Sequence, residues 1–109
     1  MSVEQANVVD AISTNGSFVN LTISDHLDWD DEQGHLIALQ EKINVYLSFV
    51  ESGEILSVYP QAEGKTPVIN VVLRIAPNSA GVRFFEQVRP VLMAAGFELR
   101  VRVLESSAH

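Results

Sequence analysis

The chain predicts a two-layer α/β (α+β) sandwich of order ββαβαβ, with a mixed four-stranded sheet carrying two helices on one face. Three observations predict it. An Asn-Gly pair at 15 and 16 separates two short runs rich in β-branched residues, which is a strong hairpin signal. Apolar residues then recur at helical spacing from Leu36 and again from Phe84. Each helical stretch is followed by a run of alternating apolar residues, the pattern of a β–α–β unit with a parallel sheet.

The first two strands are Val8 to Ser13 and Ser17 to Ser24. With Asn15 and Gly16 as the central turn residues, Ile12 faces Val19, Asp10 faces Leu21 and Val8 faces Ile23. Val8, Ile12, Val19, Leu21 and Ile23 then share the core face, with Asp10 as its odd member. Asp30-Asp-Glu-Gln33 marks the start of the first helix, an acidic turn in a capping-box pattern with Asp30 as the cap. Leu36, Leu39, Ile43, Tyr46, Leu47 and Val50 form its inner stripe, Glu41, Lys42, Ser48 and Glu51 its outer side, and Gly53 its end.

Residues 54–67 leave two options, a loop or a short edge strand at Ile55–Tyr59. Val68 to Ile75 is apolar enough on both faces for a central strand. Pro77-Asn-Ser79 opens the second helix, which turns Phe84, Phe85, Val88, Leu92 and Ala95 inward, kinks at Pro90 and closes at Gly96. Phe97 to Leu104 is the last strand, with Phe97, Leu99, Val101 and Val103 on one side and Glu98, Arg100 and Arg102 on the other. A ferredoxin-like arrangement with an extra strand near 54–59 is the rival. It leaves the strand at 8–13 no partner position, because both neighbours of the strand at 17–24 are then taken.

At 109 residues the chain is expected to form a single α/β domain over 1–105 with a disordered tail at 106–109. Hydrophobic residues make up 47% and mean hydropathy is +0.15, enough to bury a core. The absence of cysteine removes disulfides, thiolate metal sites and thiol nucleophiles. No basic-then-apolar leader and no membrane-length apolar run is present, so the expectation is a cytoplasmic protein that does not enter membranes. A net charge of −7 argues against nucleic acid as a partner. The charge is uneven: residues 1–54 hold ten acids and one base, residues 55–109 four acids and six bases.

Val8-Val-Asp-Ala-Ile-Ser13, Thr22-Ile-Ser-Asp-His-Leu-Asp-Trp-Asp30 and His35-Leu-Ile-Ala-Leu-Gln-Glu-Lys-Ile-Asn44 together resemble a family of small bacterial proteins classed as a domain of unknown function. The likeness extends to Glu51-Ser-Gly-Glu-Ile55 and Tyr59-Pro60. It implies a bacterial origin and an α/β fold, and it transfers no catalytic residue. Ala76-Pro-Asn-Ser-Ala-Gly81 and the final strand match no motif.

The richest chemistry lies in Asp25-His-Leu-Asp-Trp-Asp-Asp-Glu-Gln-Gly-His35, two imidazoles and five carboxylates between a strand and a helix. Adjacent acids on a first helical turn are accounted for by the helix dipole. A divalent cation would need His26, Asp28 and His35 to converge, yet the spacing matches neither an EF-hand nor His-Glu-x-x-His. In an acid–base enzyme, His26 would be the general base, oriented by Asp25 or Asp28, with Trp29 as a pocket wall. No phosphate loop, dinucleotide fingerprint or nucleophile elbow accompanies them, and no cofactor is expected.

The second surface is the uncovered sheet face, where Phe18, Asn20, Thr22, Asn70, Val72, Arg74, Arg100 and Arg102 should project together. The leading expectation is a non-enzymatic interaction module that either self-associates, as in a homodimer, or binds a basic protein. Its contact residues would be Asp28, Trp29, Asp30 and Asp31 with Arg74, Arg100 and Arg102. The alternative is a small metal-dependent or acid–base enzyme built on His26, Asp28 and His35.

Overall fold

The computed structural model describes residues 11–104. Strand β1 (Ala11–Asn15) and strand β2 (Phe18–Asp25) form the hairpin, followed by helix α1 (Glu32–Glu51) and the short helix α2 (Glu54–Val58). A 3₁₀ turn at Pro60–Ala62 leads into β3 (Thr66–Leu73), then α3 (Ser79–Ala94) and β4 (Glu98–Val103). The sheet order is β1-β2-β3-β4, with the first pair antiparallel and the other two parallel. Right-handed crossovers place consecutive helices on one face when strand order runs in one direction. The burial pattern agrees, giving the two-layer α+β sandwich with α1 and α3 over one side of a mixed sheet.

The core is the inward set of each strand packed on those helices. Val19, Leu21 and Ile23 of β2, Ile69, Val71 and Leu73 of β3 and Leu99 of β4 meet Leu39, Ile43, Tyr46 and Phe49 of α1 and Phe85 and Leu92 of α3. Each such side chain contributes about 1.5–3 kcal/mol by leaving water. Tyr46 adds a hydrogen bond from its hydroxyl to the Thr22 carbonyl at 2.9 Å, tying α1 to the middle of β2.

Several expectations are corrected. The hairpin turns one residue later than the Asn-Gly pair suggests: Asn15 pairs with Phe18, and Gly16 and Ser17 are the central residues. Gly16 has φ +62 and Ser17 does not enter the positive-φ region, which matches a Gly-X turn rather than Asn-Gly in both central positions. Ile12 therefore faces Leu21, not Val19, although the two-position change in pairing keeps every side chain on its expected face. The readings for Val8, Asp10 and the 106–109 tail lie outside the described residues.

Residues 54–58 are helical, not an edge strand, so the ferredoxin-like rival has no extra strand to use. Gly53, at φ +84, ends α1 and lets the chain turn directly into α2. Ala95 is exposed rather than inward, because the helix ends at Ala94. Lys42 departs most from expectation: it is fully buried, not on the outer side of α1. The buried stripe runs His35, Leu39, Lys42, Tyr46, Phe49, so the helix is rotated from the purely apolar reading and brings two basic side chains inward. The Lys42 ammonium lies 5.6 Å from the centre of the Tyr46 ring.

Candidate functional site

The carboxyl ends of β2, β3 and β4 lie along one edge of the sheet, beside the first turns of α1 and α3. This brings the loops that follow β2 and β3 together, where the Trp29 indole reaches the Ile75 carbonyl. Asp25, the last residue of β2, continues the inward alternation of Val19, Leu21 and Ile23 and is buried. His35, on the first turns of α1, is buried with it. Nε2 of His35 lies 2.5 Å from Oδ2 of Asp25, and Oδ1 accepts the Leu27 amide at 3.0 Å.

The other imidazole nitrogen is engaged as well. Nδ1 of His35 lies 2.8 Å from the Asp28 carbonyl oxygen, and a carbonyl can only accept, so Nδ1 is the donor. Nε2 is hydrogen-bonded to the Asp25 carboxyl group, so each of the two buried polar groups has its partners inside the fold. Trp29 closes the arrangement by stacking on His35 at 3.8 Å between ring centres, and its indole donates to the Ile75 carbonyl at 3.2 Å. Trp29 thus fastens the loop after β2 to the chain leaving β3.

The carboxylates around this locked turn face solvent. Asp28 accepts from the Asp30 amide at 3.0 Å. The cap of α1 is Asp31, one residue later than expected, accepting from the Gly34 amide at 3.2 Å, so Gln33 has no reciprocal role. Glu32 accepts from the Asn78 amide at 2.6 Å while the Asn78 oxygen caps α3, so one asparagine joins the two helix starts. Asp31→Ala is expected to cost about 1 kcal/mol and Asp31→Asn close to nothing, since asparagine caps equally well. Paired urea melts read the difference, and equal losses would mean that Asp31 acts by its charge rather than as a cap.

The structure joins Asp25 to His35, a pairing not expected, and leaves His26 exposed on the loop. Asp25, expected to orient His26, has both its oxygens engaged by His35 and Leu27. Both His35 nitrogens are used within the fold, and Asp28 meets His35 through its backbone carbonyl rather than its carboxylate. His26, Asp28 and His35 are therefore not assembled as three metal ligands; among the described residues no group of three His, Asp or Glu side chains is placed to hold an ion. A cleft of about 260 Å³ opens beside the pair, lined by Leu27, Asp28, Asp31, Gly34, His35 and Ala38.

The arginines of the open sheet face behave differently from one another. Arg100 donates to Glu98 at 2.6 Å and lies over the Phe18 ring at 5.4 Å. Arg74 and Arg102 are exposed.

This site stands on a chain whose sequence matches a family model over residues 1–105, described as a family of unknown function, DUF6572. The chain belongs to that family. No curated protein and no solved structure matches it. No helix among the described residues is long and apolar enough to cross a membrane.

Proposed function

We propose that this member of DUF6572 is a non-enzymatic protein-interaction module that engages a basic partner through its acidic strand-to-helix turn. One observation supports it above the others. The buried Asp25–His35 pair and the Trp29 stack hold the turn rigid, while the carboxylates of Asp28, Asp30, Asp31 and Glu32 are exposed and pair with no cation among the described residues. A pre-ordered anionic surface needs no further ordering when a cationic partner arrives, and its field speeds the encounter.

The test compares two triple variants of equal net charge. Asp28→Asn/Asp30→Asn/Asp31→Asn neutralises the turn and keeps its side-chain acceptors, whereas Glu41→Gln/Glu51→Gln/Glu54→Gln neutralises exposed acids elsewhere. Calorimetric titration with a synthetic lysine-rich peptide should show at least a roughly tenfold weaker dissociation constant for the first variant, about 1.4 kcal/mol. The second should bind nearly as the parent does, and all three should weaken as salt rises. Equal weakening of both triple variants would show that only net charge matters and would remove the turn as a docking surface.

A further inference from the structure

Unmatched charges of both signs lie toward the carboxyl end of the parallel strands. Most basic side chains are engaged within the chain. Lys65 donates to the Gly16 carbonyl, Arg89 to the Leu99 carbonyl and Arg100 to Glu98, while Lys42 is buried against Tyr46. The side chains of Arg74, Arg83 and Arg102 make no hydrogen bond or ion pair among the described residues. Arg74 directly follows the last residue of β3, and Arg102 pairs in register with Val72 near the end of β4. The acidic turn leaves the same edge of the sheet from the neighbouring β2.

Among the described residues no helix covers the sheet face carrying Arg102. Thr22, Asn70 and Val72 are half-buried there, and with Arg100 and Arg102 they line a depression of about 240 Å³. Across the sheet this gives rows of Ser24, Val72, Arg102 and of Thr22, Asn70, Arg100, with apolar and neutral residues in the middle and cations on the β4 side. Such a surface resembles an interface centre with a charged rim more than a solvated face. A two-fold contact is self-complementary when a patch holds both members of each pair, because residue i then meets j twice. Here the ends of β3 and β4 carry the unmatched Arg74 and Arg102, and the loop that leaves the same end of the sheet from β2 carries unmatched carboxylates.

We infer that the open sheet face docks a second copy of this chain, with Arg74 and Arg102 of each copy meeting the Asp28–Glu32 carboxylates of the other. The inference rests on the reading of the acidic turn as a docking surface and names the basic partner of that turn. The pairing also matches charge locally in a chain of net charge −7, whose copies otherwise repel one another.

Sedimentation velocity across a concentration series tests it on the full chain. The parent should show a concentration-dependent dimer, and Arg74→Gln/Arg102→Gln should sediment as a monomer. Arg74→Glu/Arg102→Glu and Asp28→Lys/Asp30→Lys should each be monomeric alone and form a dimer when mixed, an outcome that no folding defect produces. A parent that stays monomeric throughout, or a dimer indifferent to the arginine changes, overturns the inference. The lysine-rich peptide separates the two failures. Binding to monomeric Arg74→Gln/Arg102→Gln leaves the acidic turn standing as a docking surface for another basic protein. A parent that neither dimerises nor binds the peptide loses both readings.

Discussion

Replacing His35 with leucine is expected to lower stability by about 3–5 kcal/mol, the cost of removing one partner of a buried, hydrogen-bonded ionisable pair. The loss has two parts. Asp25 would keep only the Leu27 amide for a carboxyl group that is 2% exposed, and the Asp28 carbonyl would lose its donor. A domain of this size has about 5–15 kcal/mol in total, so the variant should be largely unfolded at moderate urea. Asp25→Asn is the informative contrast. A side-chain amide can donate to Nε2 of His35 and accept from Leu27 in the same place, so its cost is expected to stay near 1 kcal/mol. Urea midpoints of the two variants decide the matter. If Asp25→Asn proved as damaging as His35→Leu, the carboxyl group would be required as such, and a role beyond holding the turn would have to be sought.

Gly81→Ala is expected to be the second damaging change, by about 1–3 kcal/mol, although alanine is the better helix former. Gly81 lies on the first turn of α3, where an added Cβ would stand 2.8 Å from Cη2 of Trp29 and 2.9 Å from Cβ of Pro77. The proline cannot move without its backbone, and the indole is held by the His35 stack and the Ile75 carbonyl. Trp29 must therefore leave its seat. It is the chain's single tryptophan, so its fluorescence reports the displacement directly. A longer-wavelength emission together with a lowered urea midpoint is the expected result. An unchanged spectrum and midpoint would show that α3 does not hold the acidic turn in place, and the rigid-platform argument for docking would lose its second support.

The Asp25–His35 pair shows how far local pattern reaches. Alternation along β2 already assigns Asp25 to the inward face, since it follows Val19, Leu21 and Ile23 at period two. On α1, His35 stands four residues before Leu39, and Lys42 stands four before Tyr46, which is inward spacing as well. Reading helix faces by hydrophobicity alone hides this. A polar side chain on the inward stripe counts against burial until its partner is known, and the partner comes from another element. The partner of His35 is ten positions away, past a loop whose path no periodicity describes.

What the amino-acid order determined by itself is the order of the four strands and the two long helices, the inward and outward faces of the strands and the two-layer arrangement. All three follow from side-chain period, turn chemistry and the handedness of crossovers, which act over a few neighbouring residues or through a general rule. The tertiary structure alone decided that Asp25 and His35 hydrogen-bond to each other, that Lys42 is interior and that Trp29 bridges two loops over Gly81. It also decided which arginines the fold uses and which remain unmatched at the sheet edge. These depend on how closely separate elements approach. A buried polar group is tolerated only where such an approach supplies its partner, and that distance is written in no single segment.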